Sequence, residues 1–465
     1  MANTETTTDT PVNEATYRFL EGNFAPVADE VTLTDLRVTG SIPAALEGRY
    51  LRNGPNPLAA DPGHHHWFIG DGMLHGVRLR DGQAEWYRNR WVRTPTVSEA
   101  LGEPAVPLDL TFLGAGPANT NVVHHAGSIL ALCELFEPFE MTPELETIRS
   151  SNFGGLPAGM TAHPKFDPDR GDLHVMAYSV VEPYLRYHVI DPTGRITRAD
   201  EVAVGGPVMV HDMGLTERYA IAFDLPVVFS LEAAMGGAAL PYQWDRDYTP
   251  RVGLIPRAGT AADTIWVELD EPCFVYHPLN AYDDGDAVVV DLVVHPRAFD
   301  DPVHGDPAQG TPSLQRWTIG PSGRSFRREV IDERGQEFPR ADERLATKRH
   351  RYGYAVGADL EAMGDGTTDE GTQLLKHDVV AGTSTVHEFG PGRVPSEFVF
   401  VPAADDAGED EGWLIGYVSD HTTGTAAFEI LDATDVAAEP VGRVDLPVRI
   451  PVGFHGNWIP DRALA

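Results

Sequence analysis

Four histidines in this chain share one kind of setting. They lie in Thr161-Ala162-His163-Pro164, Met209-Val210-His211-Asp212-Met213, Phe274-Val275-Tyr276-His277-Pro278 and Gly453-Phe454-His455-Gly456. Each imidazole has apolar neighbours in a stretch punctuated by glycine or proline. Most of the other histidines, out of 18 in total, lie in polar loops or beside charged residues. His455 makes the case most clearly. The stretch Ile450 to Trp458 is apolar although it lies close to the C-terminus, where chains are usually polar and loose. It should therefore turn back into the interior and carry His455 with it. A buried imidazole needs a partner for each ring nitrogen. Two readings follow: four separate core histidines satisfied by carbonyls, or one metal site with four nitrogen ligands. The separations are too long for a local motif, and they suit one ligand from each of four structural repeats. Spacing alone leaves both readings open.

Carboxylates bear on the choice. Four neutral imidazoles leave the charge of a divalent ion unbalanced, and each ligand's second nitrogen needs an anchor. Three glutamates are embedded in apolar sequence: Glu134 in Leu130 to Phe136, Glu337 before Phe338-Pro339, and Glu397 in Val394 to Pro402. Buried carboxylates are rare unless paired, so Glu134 and Glu397 stand out most. The run His64-His65-His66 also invites a metal reading. Consecutive strand residues face opposite ways, so at most two of these could share a site, and a hydrogen-bonded loop is the better reading.

The elements that must position these residues are short strands. Leu173 to Tyr178, Tyr219 to Phe223, Ile265 to Leu269, Ala287 to Val294, Trp413 to Val418 and Ala427 to Leu431 are β-rich. Turns such as Asp191-Pro192-Thr193-Gly194 and Asp283-Asp284-Gly285-Asp286 bound most of them. Leu231 to Met235 reads as a short helix, and no other amphipathic helix stands out. The pattern lacks βαβ alternation, which leaves an all-β chain. At this length, with no obvious linker, radial repetition in a β-propeller is the expectation. Residues 1–14 read as a disordered acidic tail and 15–465 as one propeller domain.

Composition excludes several functions. The formal net charge is −35, so nucleic acid is a poor partner. No apolar run approaches the roughly 20 residues of a membrane helix. The N-terminal residues lack the basic and apolar regions of a signal peptide. The two cysteines, Cys133 and Cys273, imply no disulfide framework, and a cytoplasmic location is expected. Gly320-Pro321-Ser322-Gly323 is a turn, without the strand-elbow-helix setting of a serine hydrolase. Gly114 to Asn119 is a poor dinucleotide fingerprint. Leu225 to Leu240 is apolar with few charges. It is read either as ordinary core or as a patch for transient, peripheral membrane contact.

The chain resembles the carotenoid oxygenase family, which comprises carotenoid and apocarotenoid cleavage dioxygenases, stilbene-cleaving relatives and the retinoid isomerase. The matching stretches include Tyr50 to Pro57, His66-Trp67-Phe68 with Gly70 to Met73, Asn119 to Val122, Thr161 to Lys165, His211-Asp212, Tyr276 to Tyr282, Glu337 to Arg340, Phe398 to Pro402 and Gly453 to Gly456. Together they run from about Leu46 to Trp458. The resemblance implies a seven-bladed propeller, with loops and short helices capping a face that bears one Fe(II). It implies His163, His211, His277 and His455 as ligands. It also implies Glu134, Glu337 and Glu397 as the partners of His211, His277 and His455 respectively.

The isomerase belongs to animals. This acidic chain, with only three lysines, has a bacterial or archaeal composition, so cleavage is the implied activity. Stilbene-cleaving relatives tend to carry lysine immediately before the first of these glutamates, and here that position is Cys133. The departure points towards a carotenoid or apocarotenoid, with a stilbene as the alternative. Four histidines leave up to two positions open on an octahedral iron, which suits O₂ without a chelating cosubstrate. The expected reaction is O₂-dependent cleavage of one conjugated C=C bond into two carbonyl products, with no external reductant. A propeller binding module, with a structural metal or none, is the reading from another class, and bound iron separates the two.

Overall fold

The computed structural model describes residues 18–62, 65–109, 114–156, 159–300, 307–357 and 372–464. The expected tail, residues 1–14, lies outside the described residues, as does His64. The strands form seven blades, and in blades 2 to 6 the strand traced first lies nearest the axis. Blade 2 contains Asn121–His125, Ser128–Leu132, Phe139–Met141 and Thr147–Ser150. Blade 3 contains Lys165–Phe166, Leu173–Tyr178, Leu185–Ile190 and Ile196–Glu201. Blade 4 contains Gly214–Leu215, Tyr219–Asp224, Arg251–Pro256 and Ile265–Glu268. Blade 5 contains Pro278–Asp284, Ala287–Val294, Ser313–Ile319 and Phe326–Asp332. Blade 6 contains Gln336–Arg340, Tyr352–Gly357, Gln373–Asp378 and Thr383–Glu388.

The remaining two blades close the ring. In blade 1 the C-terminal strand Gly456–Pro460 pairs with Gly48–Pro55, with Gly456 opposite Arg52, and Gly72–Arg80, Gln83–Trp91 and Thr32–Leu33 follow outward. In blade 7 the strand Arg37–Gly40 covers Gly442–Leu446 on the outer edge, beyond Thr425–Asp432 and Gly412–Asp420. The first two described strands thus cap the outer edges of blades 1 and 7, and the last described strand lies innermost in blade 1. Closure also removes sheet edges that would otherwise pair with other chains.

Sequence pattern explains which strands lie where. Ala287–Val294 is apolar almost throughout because packed blades cover both its faces, and seven of its residues in a row are buried. The outermost strand Ile196–Glu201 alternates between half-buried and exposed. Between the blades sit fully buried anchors such as Trp317, Tyr187 and Phe428. Each large apolar side chain removed from water contributes about 1.5–3 kcal/mol. The helix at Leu231–Met235 forms as expected, starting at Ser230, whose hydroxyl accepts the Ala233 N–H. A second helix, Pro95–Leu101, was not anticipated. Its signal is local: Thr94 caps it by accepting the Val97 N–H, and Pro95 occupies the first turn, where no N–H partner is needed.

Candidate metal centre and substrate cavity

The four histidines converge on the propeller axis. His163 lies two residues before the inner strand of blade 3 and His211 three residues before that of blade 4. His277 and His455 immediately precede the inner strands of blades 5 and 1. A Cβ on Gly453 would collide with the Arg52 guanidinium, so glycine there lets the C-terminal segment enter alongside it. Arg52 in turn donates to the Pro451 carbonyl at 2.7 Å. All four histidines are buried, and one nitrogen from each lies within 4.8 Å of the others.

The glutamates come from blades 2, 6 and 7, the three blades that supply no histidine. Glu134 follows the second strand of blade 2, and its Oε1 pairs with His211 Nδ1. Glu337 Oε2 accepts from His277 Nδ1 at 2.6 Å. Glu397 Oε1 accepts from His455 Nδ1 at 3.1 Å. The three pairings match those implied by the family resemblance. Each carboxylate fixes the proton on Nδ1 and leaves Nε2 as a lone-pair donor. Two such atoms, His211 Nε2 and His277 Nε2, face each other 3.1 Å apart. With both Nδ1 atoms donating to carboxylates, these two lone pairs cannot hydrogen-bond one another. Two nitrogens each about 2.1 Å from one divalent ion at a right angle would lie roughly 3 Å apart. His163 Nε2 is buried without a hydrogen-bond partner, and its Nδ1 is 4.0 Å from Asp212 Oδ2. The donor set therefore fits a metal ion.

Electrostatics agree. Burial and then the neighbouring histidines push His163 well below the ordinary imidazole range. Burial drives His277 down to about 3, against the opposing pull of Glu337. Burial acts the same way on His211, but Glu134 outweighs it and leaves that group raised. Burial works against the charge on Glu337, yet His277 and His295 hold its carboxyl below the usual range. Glu397 is held at about 2, because Arg340 and then His455 outweigh the cost of burial. In formal charges, the three glutamates and Arg340 leave two negative charges, which a divalent ion would neutralise.

The backbone beside two of the anchors is strained. Leu135, directly after Glu134, has φ 70°, and Phe338, directly after Glu337, has φ 54°. Non-glycine residues in this region cost of order 1–3 kcal/mol each, and such strain clusters at functional sites. At Phe338 the strain has a return, since its N–H donates to Glu337 Oε2 at 2.6 Å.

Sequence reasoning missed four residues of this network. His295 Nε2 donates to the second oxygen of Glu337 at 2.6 Å. Tyr178 donates its hydroxyl to Glu134 Oε2. Arg340 Nη1 lies 3.3 Å from Glu397 Oε2, and Lys165 Nζ 2.8 Å from Asp212 Oδ2. His295 carried a readable signal: His295-Pro296 follows an apolar strand, the same setting as His277-Pro278. Of the histidine run, His66 is buried in a hydrogen-bonded loop, where its Nδ1 accepts the Phe68 N–H at 3.0 Å, and it is not part of the four-histidine group.

A cavity of about 1050 Å³ opens onto His211, His277 and His455. Aromatic rings, among them Trp67, Phe68, Phe136, Tyr276, Phe338 and Phe454, share its walls with the carboxylates Glu134, Glu333 and Glu337. Phe68 and Phe454 pack edge to face, with ring centroids 5.6 Å apart. Cys133 also lines it, and burial pushes that thiol up to about 12, so it is present as the neutral thiol. The apolar stretch 225–240 divides. Leu225 and Val227 are core, whereas Leu231 and Met235 are 66% and 83% exposed. Leu240 and Tyr242, just beyond the helix, line the cavity.

A seven-bladed propeller carrying four histidines on its axis beside a large, mainly apolar cavity defines a class of protein whose central site could hold a metal ion. Comparison with known proteins narrows this. Residues 24–460 match the family described as Retinal pigment epithelial membrane protein. The carotenoid cleavage oxygenase of Mycobacterium tuberculosis is 41% identical, over 96% of this chain and 98% of its own. Carotenoid 9,10(9′,10′)-cleavage dioxygenase 1 of Arabidopsis thaliana is 32% identical, over 96% and 90%. Among solved structures, lignostilbene dioxygenase of Pseudomonas brassicacearum superposes with a TM-score of 0.85 at 26% identity, covering 95% of this chain and 98% of the other. Cobalt-substituted apocarotenoid oxygenase of Synechocystis does so with a TM-score of 0.81 at 25% identity, covering 96% and 98%. The chain belongs to the carotenoid oxygenase family.

Proposed function

We propose that the protein is a non-haem Fe(II) dioxygenase that cleaves one conjugated C=C bond of a carotenoid or apocarotenoid, giving two carbonyl products. The observation that carries this reading is the set of imidazole Nε2 atoms turned towards one point at the floor of an apolar cavity. His163, His211, His277 and His455 would hold one iron per chain. Glu134, Glu337 and Glu397 orient the last three of these and keep Nε2 unprotonated. Bound iron would supply O₂ activation. The chain's own contribution is to hold a polyene between aromatic walls, place one double bond above the histidines and exclude water. No side chain is needed as a proton donor or acceptor, because both oxygen atoms of O₂ remain in the products. We take residues 15–465 to act as one catalytic unit.

Leu231 and Met235 stand exposed a few residues before Leu240, which lines the cavity, and this supports peripheral and transient contact with a membrane. Among the described residues no helix is long and apolar enough to cross one. The structural likeness to a lignostilbene dioxygenase keeps a hydroxystilbene as the second substrate class. Cys133 argues against it, since a neutral thiol offers a phenol far less than a lysine would. The test is anaerobically purified, Fe(II)-loaded protein given O₂ and a panel of carotenoids, apocarotenals and hydroxystilbenes, with products read by mass spectrometry. Apocarotenal products are expected. Aryl aldehydes from the stilbenes alone would promote the second class. No cleavage of any member would favour the binding-module reading.

A further inference from the structure

Two cavities meet at the histidines. The large one touches His211, His277 and His455, while a smaller one of about 200 Å³ touches His163, His277 and His455. The four imidazoles therefore form the partition between them. The smaller cavity runs along the innermost strands, with Asn121, Lys165, Leu215, Asn280, Arg340 and Asn457 coming from six different blades. It is thus the axial channel of the propeller. Two of its lining residues are Phe or Trp, against eight Phe, Tyr or Trp residues in the large cavity. The carboxylates Asp212, Asp342, Glu343 and Glu397 outnumber the cations Lys165 and Arg340.

We propose that this axial channel is the path by which the divalent cation reaches the histidines, so that metal and lipophilic substrate enter from opposite sides of the ring. The inference rests on the metal-centre reading above. A divalent cation sheds its water at great cost unless oxygen or nitrogen ligands replace it step by step. The large cavity also carries carboxylates, Glu134, Glu333 and Glu337, but it does not touch His163. The axial channel offers carboxylates and amides down to the buried, partnerless Nε2 of His163. A carboxylate-rich funnel in a chain of net charge −35 also concentrates cations at its mouth. Glu343 marks that mouth, with its side chain 70% exposed and ion-paired to Arg340. The separation has a consequence for order of events, since metal can load whether or not the large cavity is filled.

The test measures uptake of ⁵⁷Fe(II) under argon by the full-length chain produced in iron-depleted medium. Bound metal is read with time by mass spectrometry. Glu343→Lys reverses the charge at the mouth, and Ala346→Trp adds bulk to the channel lining. Leu240→Trp narrows the large cavity instead. Uptake should slow by roughly ten-fold in the first two variants, the low end of what steering supplies for Glu343→Lys and a steric effect in Ala346→Trp, and reach the same final stoichiometry. Leu240→Trp should load at the wild-type rate. Slower loading in Leu240→Trp with normal loading in the channel variants would overturn the proposal, as would equal rates in all four proteins. A wild-type chain that takes up no metal would overturn the metal-centre reading, and this inference with it.

Discussion

Replacing Glu397 with glutamine changes one atom and sets a conflict that the site cannot resolve. Three donors converge on this carboxylate. His455 Nδ1 is 3.1 Å from Oε1, while the Gly456 N–H and Arg340 Nη1 lie 2.8 and 3.3 Å from Oε2. An amide has one accepting oxygen and one donating NH₂. The oxygen should stay with the cationic arginine and the Gly456 N–H, where charge assistance is greatest. The NH₂ then faces His455 Nδ1, which must give up its proton and accept. The proton moves to Nε2 and removes the lone pair that would bind metal. Loss of such an anchor costs roughly 10–100-fold in metal affinity, or about 1.4–2.8 kcal/mol. The fold should survive, since Arg340 keeps Glu343 and Asn457 as partners. The assay is metal content across a series of chelator concentrations, with a thermal melt run in parallel. Glu343→Gln is the control, because it removes the other carboxylate from Arg340 and leaves His455 untouched. Wild-type affinity in Glu397→Gln would refute the tautomer argument.

Other expectations follow from the same geometry. Each of His163→Ala, His211→Ala, His277→Ala and His455→Ala should lose most bound iron by atomic emission, and full iron in any one would remove that residue from the ligand set. Leu231→Asp with Met235→Asp should lower partitioning into liposomes, at low and high salt alike, without altering cleavage of a detergent-dispersed substrate; unchanged partitioning would count against membrane contact. His188 is fully buried, and burial followed by Arg186 holds its pKa at about 4, below the ordinary 6.5. The unfolded chain therefore binds the extra proton first, so this group's share of stability is intact above pH 6.5 and is lost as pH falls towards 4. Urea midpoints should fall less over that window in His188→Leu than in wild type, and parallel slopes would contradict the assignment.

The four histidines were legible as a set because the strands nearest the axis begin beside them. Proline after His163 and His277, and glycine on both sides of His455, mark those starts in the sequence. Spacing could not choose between four core histidines and one site, because the choice depends on ring closure, which brings blade 1 beside blade 7 and is a property of the whole chain. The family resemblance supplied the glutamate pairings that local sequence does not encode. Tyr178 and Arg340 stayed hidden for a physical reason. Tyr178 ends an ordinary apolar strand, and Arg340 ends a strand that also carries an anchoring glutamate, so neither shows its long-range partner. The run 225–240 reads as uniformly apolar, yet its strand half is core and its helix half is exposed. Composition alone does not distinguish a buried hairpin from a helix laid on the surface.

If four histidines hold an iron that directs O₂ across one double bond, both products must carry oxygen from O₂. The most direct measurement is a single turnover under ¹⁸O₂ with an apocarotenal substrate, stopped before carbonyl oxygen exchanges with water. No NAD(P)H or 2-oxoglutarate is added. The prediction is one ¹⁸O atom in each of the two new carbonyl products, in an amount that tracks bound iron. Intact substrate at full iron occupancy, or products whose new oxygen comes from water, would contradict it.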